Sequence, residues 1–287
     1  MSLGDELGAD IFATQPADED LLAEIYDLEH DAVVDDLPFH REMVRRSRGR
    51  VLDLGCGSGR LFRTFLDAEA RRVLGIDASA SLLRRAEGRI ASDPVLTAAV
   101  AGGRLTARRG DVRALATLNI PERFDLAVAV GLLPHLDGPE DALRLLGGVR
   151  SLLAPGGRLI LDDLGPAEMP ARDLPLSVDW RSRLDEREVV RRSQVMRRES
   201  PEGLRVAFST ITDAVQADGT IARLSASHRL WYPSPDVLAA LVAQAGMVVE
   251  LSYGSHDLEP LGPESERRIF VVRYEATGAS SQEVRVG

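Results

Sequence analysis

Lysine is absent from this chain of 287 residues; all 35 basic residues are arginine. Without lysine there is no Schiff base to pyridoxal phosphate or to a carbonyl substrate, no lysine of a phosphate-binding loop and no kinase-type lysine over nucleotide phosphates. Arginine stays protonated and cannot take over those roles. Cysteine is nearly absent as well. The single Cys56 excludes an internal disulfide, a multi-cysteine zinc site and an iron–sulfur cluster ligated by several cysteines of one chain, so a reducing cytoplasm is the expected setting. No apolar run approaches the roughly 20 residues of a membrane span. The acidic stretch from Met1 to Asp20 also lacks the basic and apolar regions of a signal peptide. Positive charge is in deficit, 35 basic against 45 acidic residues for a net charge of −10, which argues against nonspecific binding to nucleic acid or anionic membrane.

What the chain does have is 44% hydrophobic residues, enough for one large α/β domain or two modest ones. The apolar run Val51 to Leu54 ends in Gly55-Cys56-Gly57-Ser58-Gly59, and an amphipathic stretch from about Arg60 to Ala70 follows, giving strand, tight turn, helix. Val73 to Ile76, closed by Asp77, predicts a second strand, and Ser79 to Ile90 a second helix. Further strands are expected at Leu105 to Arg109, Phe124 to Val130 and Arg158 to Leu161. A helix over Glu140 to Leu153, closed by Pro155-Gly156-Gly157, separates the last two. Such alternation implies a doubly wound parallel sheet with helices on both faces. After Asp163 the pattern changes to extended, partly alternating segments with turns at Pro201-Glu202-Gly203 and Asp218-Gly219, which predicts three or four inserted antiparallel strands. A helix over Pro235 to Ala245 and strands at Met247 to Leu251 and Ile269 to Val272 complete the fold.

The glycine turn fails the dinucleotide fingerprint, because the third glycine would fall on Arg60 or Phe62. Asp53, at the carboxyl end of the first strand, would repel a pyrophosphate and attract a cation. Asp77, 18 residues after Gly59, has the spacing of an acid that receives ribose hydroxyls. Asp111, in Gly110-Asp111-Val112, could pair an adenine amino group while Val112 offers its backbone N–H. A phosphate-free nucleoside with a cationic appendage fits these groups.

Together, Val51 to Gly59, Asp77, Gly110-Asp111-Val112, Phe124-Asp125-Leu126 leading to Gly131, and Leu153-Ala154-Pro155-Gly156-Gly157 resemble the class I S-adenosylmethionine-dependent methyltransferases, over about Tyr26 to Tyr274. The resemblance implies a Rossmann-like seven-stranded sheet whose last strand is antiparallel, S-adenosylmethionine as methyl donor with S-adenosylhomocysteine as product, and no metal. It implies that Asp53 and the glycines Gly55, Gly57 and Gly59 hold the methionyl part, Asp77 the ribose and Asp111 with Val112 the adenine, with Cys56, Ala78 and Gly131 also binding the cofactor.

The segment from Ala23 to His40 is similar to the N-terminal lid of amino-sugar and glycine N-methyltransferase relatives, in which an aromatic hydroxyl such as that of Tyr26 faces donor or acceptor. His135, just past the fourth strand, is the first candidate for a base or an acceptor-orienting group, although a histidine starting a helix would look the same. His30 and His40 are expected to face solvent. Asp163, Trp180, Arg229 and Trp231 are candidate acceptor contacts. Arg181, Arg183, Arg191 and Arg192 could read an anionic acceptor, or simply form the charged face of half-exposed strands.

The expected organisation is a disordered segment 1–18, a donor-binding domain over 19–165 and 232–275 with a lid at 19–48, an antiparallel cap over 166–231 roofing the active site, and a disordered tail 276–287. The expected activity is methyl transfer to a nitrogen or oxygen of a small-molecule acceptor. Alternatives are a natural-product O-methyltransferase and a donor-binding module without turnover. No nucleic-acid or membrane partner is expected, and a homodimer through the inserted sheet is.

Overall fold

The computed structural model describes residues 19–184, 187–216 and 218–274, so the two segments expected to be disordered, 1–18 and 276–287, lie outside the described residues. Two helices come first, α1 (Glu19–His30) and α2 (Leu37–Ser47). Then follow β1 (Arg50–Leu54), α3 (Phe62–Asp67), β2 (Arg72–Asp77), α4 (Ala80–Ser92), α5 (Pro94–Ala101), β3 (Leu105–Arg109), β4 (Phe124–Val130), α6 (Pro139–Leu152) and β5 (Leu153–Leu164). Four strands form the insert, β6 (Leu174–Leu184), β7 (Arg187–Ser200), β8 (Gly203–Val215) and β9 (Ile221–Pro233). The chain then returns through α7 (Pro235–Gln244), β10 (Met247–Tyr253) and β11 (Arg267–Tyr274).

The main sheet has seven strands in the order β10-β11-β5-β4-β1-β2-β3. Pairs from β5 through β3 are parallel, and β11 lies antiparallel between β5 and β10. The last strand is therefore the antiparallel one, and the inserted sheet has all four expected strands, paired antiparallel in the order β6-β7-β8-β9. Burial follows the two-residue period of a strand. Leu52, Leu54, Leu74 and Ile76 pack with α6 and α7 on one face, whereas Val51 and Val73 pack with α2, α3, α4 and α5 on the other. Both faces are covered, which is why these strands are apolar throughout.

Helix α5 was not expected, since Pro94 to Ala101 is apolar without a helical stripe. Its formation is local: the Asp93 carboxylate accepts hydrogen bonds from the Val95 and Leu96 amides, and Pro94 occupies the first turn, where no N–H partner is needed. Among the described residues no helix is long and apolar enough to cross a membrane.

Candidate active site

The turn after β1 is held open by its glycines. Gly57 and Gly59 have φ of 55° and 77°, in the left-handed region, and a Cβ at Gly59 would come within 2.5 Å of the Phe62 ring. The Gly55 and Cys56 amides both donate to the Ile76 carbonyl, at 2.8 and 3.1 Å, which pins the turn to β2. Asp77 then links turn and helix, because its carboxylate accepts from the Gly57 and Ser79 amides at 2.8 Å each. Each oxygen keeps a lone pair for a further donor. Cys56 is buried against this turn, and burial, with Asp53 and Asp77 nearby, pushes its thiol pKa up.

Asp53 is nearly inaccessible, yet its side chain accepts no hydrogen bond and forms no ion pair with a described residue. Burial pushes its pKa up to about 7, against the pull of Arg60 and with a further push from Asp77. A carboxylate left this way at the end of a strand is poised to take a cationic partner.

Helices α1 and α2 lie over the turn. A Cβ on Gly57 would be 2.8 Å from the Tyr26 hydroxyl, so that hydroxyl rests on the glycine backbone. Burial, Asp77 and Asp53 push the phenol up to about 12, keeping it a hydroxyl donor. The Tyr26 ring stacks on His30 at 4.0 Å, and His30 Nδ1 donates to the Tyr26 carbonyl at 2.7 Å, so His30 is half-buried rather than solvent-facing. Acids of the lid meet arginines of the body. Arg60 forks onto Asp36 and also donates to the Val33 carbonyl at 2.8 Å. Arg85 pairs with Asp27, Arg89 with Asp31 at 2.8 Å, Arg187 with Glu24 at 2.9 Å and Arg191 with Glu29. Arg191 and Arg192 are therefore engaged internally, the latter with Asp213 at 2.7 Å, in line with the reading of these arginines as a charged strand face.

Asp111 caps the short 3-10 helix Val112–Leu118 by accepting from the Arg113 amide at 2.8 Å, and the Arg113 guanidinium grips both its oxygens. That grip holds its pKa below the usual carboxylate value. Val112 is buried behind it. The Ala78 carbonyl accepts from Arg109 Nε at 3.1 Å, and Gly131, with φ of 62°, donates its N–H to the Asp162 carbonyl at 2.8 Å.

The inserted sheet turns one face to this region. In register, Trp180 lies opposite Arg191 and Phe208 opposite His228, which sets all four on that face. Arg191 packs 5.0 Å from the Phe208 centroid, and His135, in the short 3-10 helix Leu133–His135, meets His228 edge-on with centroids 5.9 Å apart. Both imidazoles are exposed at their outer edges while packed against protein. Desolvation lowers the pKa of each, helped by His228 at His135 and by Arg191 at His228.

Other candidates are not brought here. Arg229 follows His228 along β9 and points to the opposite, exposed face. Trp231 is a fully buried side chain of the main core. Asp163 is buried opposite Arg268 of β11 and beside Tyr232, and burial pushes it up to about 7 despite Arg268.

A cluster around Asp162 escaped the sequence. Its carboxylate sits 3.2 Å from His40 Nε2, accepts from His256 Nε2 at 2.9 Å and takes Arg267 Nε at 2.9 Å on the other oxygen. The His256 hydrogen bond, the adjoining His40 and the charge of Arg267 hold its pKa far below the usual carboxylate range, overcoming burial. His40 is wholly buried, which corrects the expectation that it faces solvent. The donor atoms of His40, Asp162 and His256 lie within 4.8 Å of one another. Because Arg267 already balances Asp162 and both imidazoles share it, we read the cluster as a clamp joining α2, β5 and the loop after β10 rather than a metal centre. The Asp162-Asp163 doublet at a strand end and His256 beside the Gly254 turn hinted at it only separately, since His256 and Arg267 lie 94 and 105 residues from Asp162.

Residues 51–157 match the methyltransferase domain family. No curated protein matches the chain by sequence. Among solved structures, an S-adenosylmethionine-dependent methyltransferase from Clostridium acetobutylicum superposes with a TM-score of 0.70 at 18% identity, covering 89% of this chain and 98% of that one. CalS10, an amino pentose methyltransferase from Micromonospora echinaspora solved with S-adenosylmethionine bound, gives 0.64 at 20%, covering 87% and 96%. The sugar N-methyltransferase KedS8 from a Streptoalloteichus species gives 0.66 at 18%, covering 96% and 99%. Residues 51–157 thus match a methyltransferase domain, within a chain that shares the fold of these solved S-adenosylmethionine-dependent methyltransferases.

Proposed function

We propose that the protein binds S-adenosylmethionine over the glycine turn and transfers its methyl group to a nitrogen, or alternatively an oxygen, of a small-molecule acceptor. The observation that carries this reading is Asp53, a buried carboxylate without a hydrogen-bond or ion-pair partner among the described residues, beside a glycine turn that lacks the dinucleotide fingerprint. Asp53 receives the ammonium of the methionyl part and Asp77 the ribose hydroxyls. Asp111 receives the adenine amino group once Arg113 shares it, and the Val112 amide faces the ring.

Methyl transfer from a sulfonium is an in-line displacement by an already activated donor, so alignment and exclusion of water do most of the catalytic work. Tyr26, lying on Gly57, closes the donor side, and the inserted sheet closes the acceptor side, with Trp180 in the wall that carries Arg191. His135 orients the acceptor or takes its proton. The sugar-modifying activities named for CalS10 and KedS8 support a nitrogen acceptor on a small polar molecule. The homodimer belongs to the same proposal: β6 is an edge strand whose Leu174, Leu176 and Val178 are exposed.

The test is calorimetry with S-adenosylhomocysteine followed by a screen of amines, amino sugars and phenols read by homocysteine release. Binding is expected, and Asp77→Ala should weaken it by about 1–3 kcal/mol, the scale of hydrogen bonds to a charged group. No binding to the wild-type protein would end the methyltransferase reading.

A further inference from the structure

His228 was not among the expected site residues, yet its ring lies against that of His135. It comes from β9 of the inserted sheet, His135 from the loop after β4, and the two rings meet edge-on at 5.9 Å. Behind His228, the Phe208 ring lies within stacking range, 27° from parallel with centroids 6.5 Å apart, and fixes the face it presents. The charged groups near the pair are few. Arg191 of β7 is the cation facing His228, and it is engaged by Glu29 of α1 and, at 3.5 Å, by Asp179 of β6. Among the described residues no carboxylate pairs with either imidazole, in contrast to His40 and His256 at Asp162.

We propose that His228 is a second catalytic residue, forming with His135 a proton-accepting pair that brackets the nitrogen of an amine acceptor. The inference rests on the methyltransferase reading and names the acceptor class within it. An amine arrives as an ammonium, which has no lone pair to attack with. One imidazole takes an N–H proton and becomes imidazolium, and the freed lone pair forms the N–CH₃ bond while the S–CH₃ bond breaks. The electron pair of that bond returns to sulfur, turning the sulfonium into a thioether, and the positive charge moves to the methylated nitrogen. The second imidazole stays neutral, because two adjacent imidazolium ions repel each other. It accepts a hydrogen bond from a remaining N–H and fixes the nitrogen on the line of attack. A carboxylate or phosphate acceptor would need an unengaged cation in this place, and Arg191 is committed to Glu29 and Asp179.

Sinefungin tests this without knowledge of the acceptor, since it carries an amine where the donor carries its transferable methyl group. Its affinity is compared with that of S-adenosylhomocysteine by calorimetry. The wild-type protein should prefer sinefungin by about tenfold at neutral to slightly alkaline pH, the scale of one charge-assisted hydrogen bond. The preference should shrink as pH falls through the imidazole range and the pair takes up a proton. His228→Asn should remove most of it while leaving S-adenosylhomocysteine binding unchanged. His228→Phe, which keeps a ring on Phe208, should fail in the same way, separating proton acceptance from packing. A preference that is absent in the wild type, or that survives both variants, overturns the proposal. If neither nucleoside binds the wild-type protein, the methyltransferase reading falls and takes this one with it.

Discussion

Asp53 and Asp162 stand at the same edge of the same sheet, on the strands that flank β4, in register with Val128 and Val130. Both are buried. Their environments are opposite. Asp162 is met by His40, His256 and Arg267, which arrive from α2, the loop after β10 and β11, and its pKa falls. Asp53 feels Arg60 only at a distance, and its pKa rises to about 7. The difference separates an acid that stabilises the fold from one that, on the proposed function, serves a ligand. A buried carboxylate with its cations supplied by the chain is part of the architecture, whereas one without them costs stability until something cationic binds.

The largest expected effect comes from breaking the clamp. Asp162→Asn leaves the partly buried Arg267 beside a neutral amide and removes the acceptor that His40 and His256 share, and it should destabilise the protein by about 3–5 kcal/mol in denaturant unfolding. Its pH signature follows from the depressed pKa. Stability from Asp162 is present above its unfolded value of 3.8 and is lost as pH falls below it, so the wild-type protein should be acid-labile there and the variant less sensitive.

Asp53→Asn should act in the reverse sense. It should weaken S-adenosylhomocysteine by about 1.5–3 kcal/mol, the scale of a hydrogen bond between charged groups, measured by calorimetry. It should also raise the thermal midpoint of the unliganded protein. The folded pKa lies above the unfolded 3.8, so the stability associated with the protonated form is full below 3.8 and lost as pH rises toward 7. The amide does not ionise and escapes that loss. A variant that lost stability at neutral pH would break the comparison.

The smallest effects belong to the lid. Arg89→Ala removes a partly exposed pair with Asp31 and should cost about 0–1 kcal/mol of stability. Because several such pairs hold α1, raising salt should loosen the lid and speed the exchange of bound nucleoside, followed by stopped-flow fluorescence.

The parallel sheet was legible because its strands are apolar runs closed by turn residues, and the glycine turn and Asp77 fall where spacing put them. Helix α5 was not, because its signal is a cap at Asp93 rather than a period. On the site, residues close in sequence were easier than those joined by folding. Asp53 and the glycines sit together on one β–α unit, whereas His40, His256 and Arg267 reach Asp162 only through tertiary packing. The inserted sheet shows the same limit. Alternation puts His228 and Arg229 on opposite faces, but pairing with Phe208 and contact with His135 decide which face is inward. The missing lysine has its counterpart in the structure, since arginines of the body and insert take up the lid's acids.

The most direct test of the Asp53 account is calorimetry of S-adenosylhomocysteine near pH 7 in two buffers of different ionisation enthalpy. If the ligand's ammonium binds a carboxylate that is partly protonated beforehand, binding must expel a proton. The predicted result is binding with net proton release that disappears in Asp53→Asn; binding with no release, or the same release in the variant, would contradict it.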